Sequence, residues 1–306
     1  MKKLRFVVNL MTQENDFQLA QAAAAEEAAR RLDVNVEIVY ADSDPVTQST
    51  QLLKIIQADP ATHPAAILFQ PIGGIALPQV ARAAAAAGIG WVVLNRYAEY
   101  LSELRATSRA PLFSISTDHR EVGRIQARQI AALLPGGGAV LYIQGPHGSS
   151  AAGERTSSMQ AAKPENVHVT MLRGQWTERS AQASVSSWLR LTGSQRAQVD
   201  LVVAQNDVMA IGARKALEEL KEANRDRWLN LQYTGCDGLP ETGQAWVRSG
   251  LLAATIVVPP NTGQALALLV QALREGIRPP ENVRTTPASF PSLESLLSMR
   301  SRELHA

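Results

Sequence analysis

Short apolar runs alternate with helix-period segments along almost the whole chain. This predicts an α/β protein made of two doubly wound parallel-sheet lobes. Three observations carry the prediction. The strand-like runs, such as 65–69 and 201–204, are continuously apolar rather than alternating, the pattern of strands covered on both faces. Helix-period segments with capping residues follow them, the order that builds a parallel sheet. The chain of 306 residues also holds more such units than one ordinary open sheet, and it suffices for two lobes of roughly 120–150 residues each. A closed eight-stranded barrel is the competing arrangement.

Taken in order, 5–11 reads as the first strand, and Asp16 can cap an alanine-rich helix to about residue 32 with Phe17, Leu19, Ala20 and Ala24 apolar. A second strand, 34–40, alternates, and Asp44-Pro45 opens the next helix with proline at its first position. The third strand, 65–69, is bounded by proline on each side, and the helix 76–87 after it ends at Gly88. Its run Ala83 to Ala87 is a tight-packing helix face. A fourth strand is expected at 91–94. The segment 98–113 breaks the rhythm and is read as the approach to a crossing between lobes. Strands then follow at 112–116, 139–144, 167–172, 201–204, 231–235 and 253–258. The helices among them are 118–134 with Asp118 as cap, 151–162, 180–191, 207–220 and 240–249, and 262–275 comes last. Gly136, Gly137 and Gly138 make a turn, and 283–290 is read as a return to the hinge.

Composition excludes several functions. Hydrophobic residues are 45% and charged residues 19%, ordinary for a globular chain, and the formal net charge is +2. Lys and Arg are scattered rather than clustered, which argues against a nucleic-acid reader. Cys236 stands alone, so neither an intrachain disulfide nor a Cys-based metal cluster is available. The five histidines lack metal-ligand spacing, and no metal or other cofactor is expected. No run of about 18 apolar residues is present. Met1-Lys2-Lys3 resembles the start of a signal peptide, but the apolar run after it is too short, so the fold is expected to begin near residue 4. No enzyme motif stands out: there is no nucleophile elbow, no G-x-G-x-x-G after the first strand and no Walker A sequence.

Ligands of open α/β sheets bind past the carboxyl ends of the strands. The residues there include Asn15, Asp16, Phe17, Gln70, Asn95, Arg96, Thr117, Asp118, His147, Arg155, Trp176, Asn206, Asp207 and Asp237. Amides, carboxylates and guanidinium groups can engage neighbouring hydroxyls in pairs, and an aromatic ring packs on the C–H face of a sugar. Phe17 and Trp176 are the stacking candidates. Each Asn or Asp after a strand can equally be a helix cap or turn former. Cys236 is read as a small buried hydrophobe, and Trp91 as core. Trp188, Trp228 and Trp246 are read as packing residues, and Arg179 and Arg214 as surface.

Several motifs occur in family order. Segment 69–96 with Asn95-Arg96, segment 117–123 opening on Thr117-Asp118, and segment 145–155 ending on Glu154-Arg155 are three of them. Ala204-Gln205-Asn206-Asp207 heads a fourth, and Gly235-Cys236-Asp237-Gly238 is similar to a Gly-Phe-Asp-Gly motif. Together the chain resembles ribose-type (type I) periplasmic sugar-binding proteins, whose fold is shared by the effector domains of LacI-type regulators. The resemblance implies residues 1–116 plus about 258–287 in one lobe, 117–257 plus about 288–306 in the other, a multi-crossing hinge joining them, and a ligand cleft between them. It also implies a monomer that captures a sugar-like ligand by hinge closure, does no covalent chemistry, and serves an ABC permease or a membrane sensor. Asn15, Phe17, Gln70, Asn95 and Arg96 then fall on first-lobe contacts, and Arg155, Asn206 and Asp237 on second-lobe ones. Asn95 stands where the family has aspartate, which removes a charge and a strong acceptor. A monosaccharide, a polyol and another polar metabolite therefore stay open. The implied location is periplasmic. With no signal peptide visible, a cytoplasmic one stays open, as does the effector domain of a regulator without its DNA-binding module.

Overall fold

The structure is a computed structural model describing residues 3–73, 76–191, 197–219, 228 and 230–303. The elements run β1 (Arg5–Leu10), α1 (Asp16–Leu32), β2 (Asn35–Tyr40), α2 (Pro45–Ile56), β3 (Ala66–Phe69), α3 (Pro78–Ala86), β4 (Gly90–Leu94), α4 (Tyr100–Thr107), β5 (Leu112–Thr117) and α5 (His119–Leu133). They continue β6 (Gly138–Gln144), α6 (Ser150–Ala162), β7 (Val167–Arg173), α7 (Glu178–Leu189), β8 (Leu201–Ala204), α8 (Asp207–Glu218), β9 (Gln232–Thr234) and α9 (Gly243–Arg248). The last are β10 (Thr255–Val257), α10 (Thr262–Glu275), β11 (Asn282–Thr285), β12 (Ala288–Phe290) and α11 (Leu293–Glu303). The end expected for the eighth helix, Leu220, lies outside the described residues.

The chain forms two compact units, Met1–Thr117 with Pro260–Thr285 and Asp118–Pro259 with Thr286–Ala306. In the first, the strand order is β11-β5-β4-β3-β1-β2, and every pairing is parallel. Successive side chains of a strand point to opposite faces, and here both faces are covered. Phe6, Val8 and Leu10 pack with Leu68, Val92 and Phe113 against Ala25 of α1 and Leu266 of α10. Val7 packs with Ile67, Phe69 and Trp91 against Leu52 of α2, Val80 of α3 and Leu101 of α4. That is why β3 reads as an unbroken apolar run and β1 holds three consecutive apolar residues, Phe6, Val7 and Val8, before Asn9. The edge strand β2 alternates because its Asn35 and Glu37 face out, which also discourages pairing with another chain.

The second unit repeats the plan with order β7-β6-β8-β9, all parallel. Single bridges from Thr234 to Ala254 and from Asp237 to Val257 carry it on to β10, which pairs antiparallel with β12. Leu141, Ile143 and Val202 meet Val185 of α7 and Met209 of α8 on one face. Val140, Tyr142 and Val203 meet Ile130 of α5 and Met159 of α6 on the other. Trp188 and Trp228 pack edge to face with centroids 6.1 Å apart.

Several sequence expectations change. The segment 98–113 leads into β5, after which the chain passes from one unit to the other at Thr117/Asp118, but it also holds α4, which the sequence reading lacks. Leu101 and Leu104 bury the helix, and its Tyr100 hydroxyl accepts from the Trp91 indole nitrogen at 3.0 Å and donates to the Ala76 carbonyl at 2.6 Å. A two-turn helix offers too few periods to stand out in sequence. The run 283–290, read as a return to the hinge, does pass between the units, at Thr285/Thr286, and it is divided there into two strands, β11 and β12, which join different sheets. The cap of α1 is Asn15 rather than Asp16, its side chain accepting from the Gln18 amide at 3.2 Å. Arg214 is not a plain surface residue, because its guanidinium lies 5.5 Å from the Tyr233 ring centroid.

Helices α5 and α6 approach so closely that a Cβ on Gly123 would collide with the Arg155 carbonyl and lie 2.9 Å from the Met159 amide nitrogen. Gly123→Ala should therefore lower the unfolding free energy by about 1–3 kcal/mol in urea denaturation. Gly136→Ala, whose Cβ meets nothing within 4 Å, is the control and should change it far less.

Candidate functional site

Both sheets are built so that consecutive strands diverge once, at β1/β3 in the first unit and at β6/β8 in the second. The loops leaving such a pair of strands open a crevice, the usual ligand position in doubly wound sheets. The candidate residues gather at these carboxyl edges, unit by unit.

In the first unit Asn15 follows β1 and half-buried Phe17 lies in the first turn of α1. Gln70 follows β3 and Asn95 follows β4, and their amides meet: Asn95 Nδ2 donates to Gln70 Oε1 at 3.0 Å. Asn95 Oδ1 accepts from Asn261 Nδ2 at 2.7 Å, and Asn261 Oδ1 accepts from Gln21 Nε2 at 3.2 Å. Beneath this chain, Asn9 Oδ1 accepts from Gln48 Nε2 and Asn9 Nδ2 donates to Gln51 Oε1, each at 2.8 Å. Gln48 Nε2 also reaches the Gln70 carbonyl at 2.9 Å. Buried amides carry both donors and acceptors, so each satisfies the next. Asn95 sits at φ 56°, the left-handed region that Asn tolerates better than most side chains. Arg96 beside it is half-buried, and burial pulls its pKa down.

In the second unit three segments build one cluster around Arg155, which is only 5% exposed. One guanidinium nitrogen donates to the Gln205 carbonyl, and Nε lies 3.4 Å from His119 Nδ1. The guanidinium carbon is 5.6 Å from the Trp176 ring centroid, a cation–π arrangement. The Trp176 ring also lies against Gly145, where a Cβ would collide with it. Trp176 has φ 62°, and its carbonyl accepts from Asn206 Nδ2 at 3.1 Å. Asn206 Oδ1 meanwhile caps α8, accepting from the Met209 amide at 3.1 Å. The helix-cap reading of Asn206 therefore holds, and the same amide anchors Trp176.

Gln205 was not singled out from sequence, yet its side chain organises the floor of this cluster. Oε1 accepts from the Gly145 amide at 2.8 Å, and Nε2 lies within 3.0 Å of the Tyr142 hydroxyl, the Ala152 carbonyl and Thr156 Oγ1. His119 and Asn261 were missed as well. Their partners are distant in sequence, so no local spacing signals them.

Asp237 occupies the bridge to β10 at φ 115°, an unusual backbone position for a non-glycine residue. Beneath its loop Asp207 is buried, with Oδ1 accepting from Thr255 Oγ1 at 2.5 Å and Oδ2 accepting from the Gly238 amide at 2.8 Å. A Cβ at Gly235 or Gly243 would collide with this carboxyl group. Burial, and secondarily the charge of Asp237, hold its pKa well above the carboxylate range. The adjacent Cys236 thiol, buried, is pushed up to about 12 and stays protonated.

The family model of the periplasmic binding protein domain matches residues 6–277. The ribose import binding protein of Salmonella typhimurium is 28% identical over 262 residues, spanning 85% of this chain and 81% of that protein. The xylitol-binding protein of Mycolicibacterium smegmatis is 30% identical over 263 residues, spanning 83% of this chain and 67% of that protein. Among solved structures, a galactofuranose binding protein superposes with a TM-score of 0.80 at 19% identity, covering 98% of this chain and 99% of its own. The chain belongs to the periplasmic binding protein family, in its type I, ribose-like branch. This favours a solute-binding role over that of a regulator's effector domain.

The Asp207 proton carries a pH signature. The folded protein binds it more tightly than the unfolded chain, where Asp titrates near about 3.9. The stability it contributes is fully present below that value and is lost as pH rises through the raised folded value. Asp207→Asn imitates the protonated group. The difference in unfolding free energy should therefore move in the variant's favour as pH rises from about 4 to 8. Urea denaturation at matched pH values checks this, and a pH-independent difference would sink the assignment.

Proposed function

We propose that this chain is a solute-binding protein for a small polar ligand of the sugar or polyol class, and that it performs no covalent chemistry on it. The observation carrying this reading is Arg155, a buried guanidinium held by Gln205, His119 and Trp176 at the carboxyl edge of a doubly wound sheet. Held this way it is pre-organised, and a fixed fork loses little freedom when it engages vicinal hydroxyl oxygens. Asp237 supplies an acceptor for hydroxyl donors in the same unit. Trp176 is committed to Gly145 and Arg155, so Phe17 is the better candidate to pack on a C–H face. The ribose and xylitol named in the relatives and the galactofuranose of the structural neighbour support the same ligand class. Delivery to an ABC-type permease, in the periplasm and as a monomer, completes the proposal. The word import in a relative's name supports the transport part.

A thermal-shift screen of pentoses, hexoses, furanose-rich sugars and polyols tests the reading, because a ligand that binds only the folded state raises the melting temperature. The strongest hit is then titrated by calorimetry. Arg155→Ala and Asp237→Ala should each cost about 1–3 kcal/mol of binding free energy, by leaving a polar ligand group unpaired. A screen without a single stabilising sugar or polyol, or unchanged affinity in both variants, would reject it.

A further inference from the structure

At the carboxyl edge of the first unit, Arg96 has no counter-charge among the described residues. The Arg96 guanidinium, half-buried after β4, makes neither a hydrogen bond nor an ion pair among the described residues, and burial is the influence acting on it. Desolvating a guanidinium without a partner is unfavourable. The neighbouring side chain cannot compensate. Asn95 is an uncharged amide, and both its ends are engaged, Nδ2 by Gln70 and Oδ1 by Asn261. The side chains linked around it, Gln21, Gln70 and Asn261, and those below, Asn9, Gln48 and Gln51, are all amides too. Of the acids that follow strands of this sheet, Asp118, directly after β5, the strand next to β4, caps α5 by accepting from the Glu121 amide at 2.9 Å, and Asp44, after the edge strand β2, caps α2 by accepting from the Val46 and Thr47 amides at 3.2 and 3.0 Å.

We propose that the ligand itself supplies the missing negative charge: the chain prefers a sugar or polyol bearing a carboxylate, which Arg96 receives as a two-pronged partner. Asn95 is then the specificity-determining residue, because an amide in that locked position leaves Arg96 unneutralised. This rests on the sugar-or-polyol reading and narrows it. A hydroxyl also accepts from a guanidinium, but a carboxylate makes bonds roughly twice as strong and fits the planar fork at two points. A carboxylate at position 95 would accept from Asn261 unchanged and from Gln70 after an amide flip, neutralising Arg96 and repelling an acidic ligand.

Calorimetry on the full chain with matched pairs tests this: D-galactose against D-galacturonate, D-glucose against D-glucuronate, and D-ribose against D-ribonate. In at least one pair the acid should bind about tenfold or more tightly than its neutral partner, the size expected of a charge-assisted bond. Asn95→Asp should remove most of that preference by weakening the acid about tenfold or more while changing the neutral sugar less. Arg96→Gln should remove it too, and melting curves establish that both variants fold. Neutral members binding as well as or better than the acids in every pair would overturn the charge assignment and leave the sugar reading standing. So would an acid preference that survives Asn95→Asp. Binding of no member of either kind would overturn both.

Discussion

A parallel sheet covered by helices on both faces leaves only its strand ends for polar side chains, and the rest of this molecule follows from that constraint. In the first unit, alternate residues of β1 enter two different cores. In the second, β6 and β8 do the same. The candidate ligand residues are displaced to the loops that leave the carboxyl ends or, for Phe17 and Arg155, to the opening turns of the helices that follow. There the chain must satisfy many donors and acceptors in little space. It does so with amides, which can give and accept at once.

The two units solve that problem with different chemistry. The first uses a chain of amides, Gln21, Asn261, Asn95 and Gln70, stacked over a second set centred on Asn9. The second uses Gln205 as a hub that fixes the backbone around Gly145 and Ala152, while Arg155 rests between His119, Trp176 and the Gln205 carbonyl. The acids there are divided by depth. Asp207 is enclosed by Gly235, Gly238 and Gly243 and is pushed toward its neutral form, whereas Asp237 lies above it with the greater exposure. Asn95, Trp176 and Asp237 all take positive φ. Such backbone positions cost free energy and persist where the surroundings impose them, as they do at binding sites.

Much of the fold is legible in the residues. The apolar runs of β3 and β8 predict covered strands, Asp44-Pro45 opens α2, and Asp118 caps α5 with its side chain accepting from the Glu121 amide. Position along the chain also points to Arg155 and Asp237, because each follows a strand directly or by one loop. Where the reading fails, the signal is short or shared. Helix α4 spans Tyr100–Thr107, too short for periodicity to declare itself. The single run 283–290 supplies one strand to each of two sheets, a division that its apolar content cannot show. Asn15 and Asp16 are equally good caps by type, and geometry alone chooses Asn15.

The sequence by itself determined the layered α/β architecture, the order of motifs that resembles the family's and the set of side chains placed after strands, because these depend on local periodicity, residue type and spacing along the chain. Only the tertiary structure decided which of those side chains are occupied by other protein groups and which are not. Asn95 is locked by Asn261, a partner 166 positions away, Asn206 is divided between a helix cap and Trp176, and Arg96 keeps its charge without a partner among the described residues. Hydrogen bonds of that kind join segments remote in sequence, and their geometry exists only once the strands have set the loops side by side.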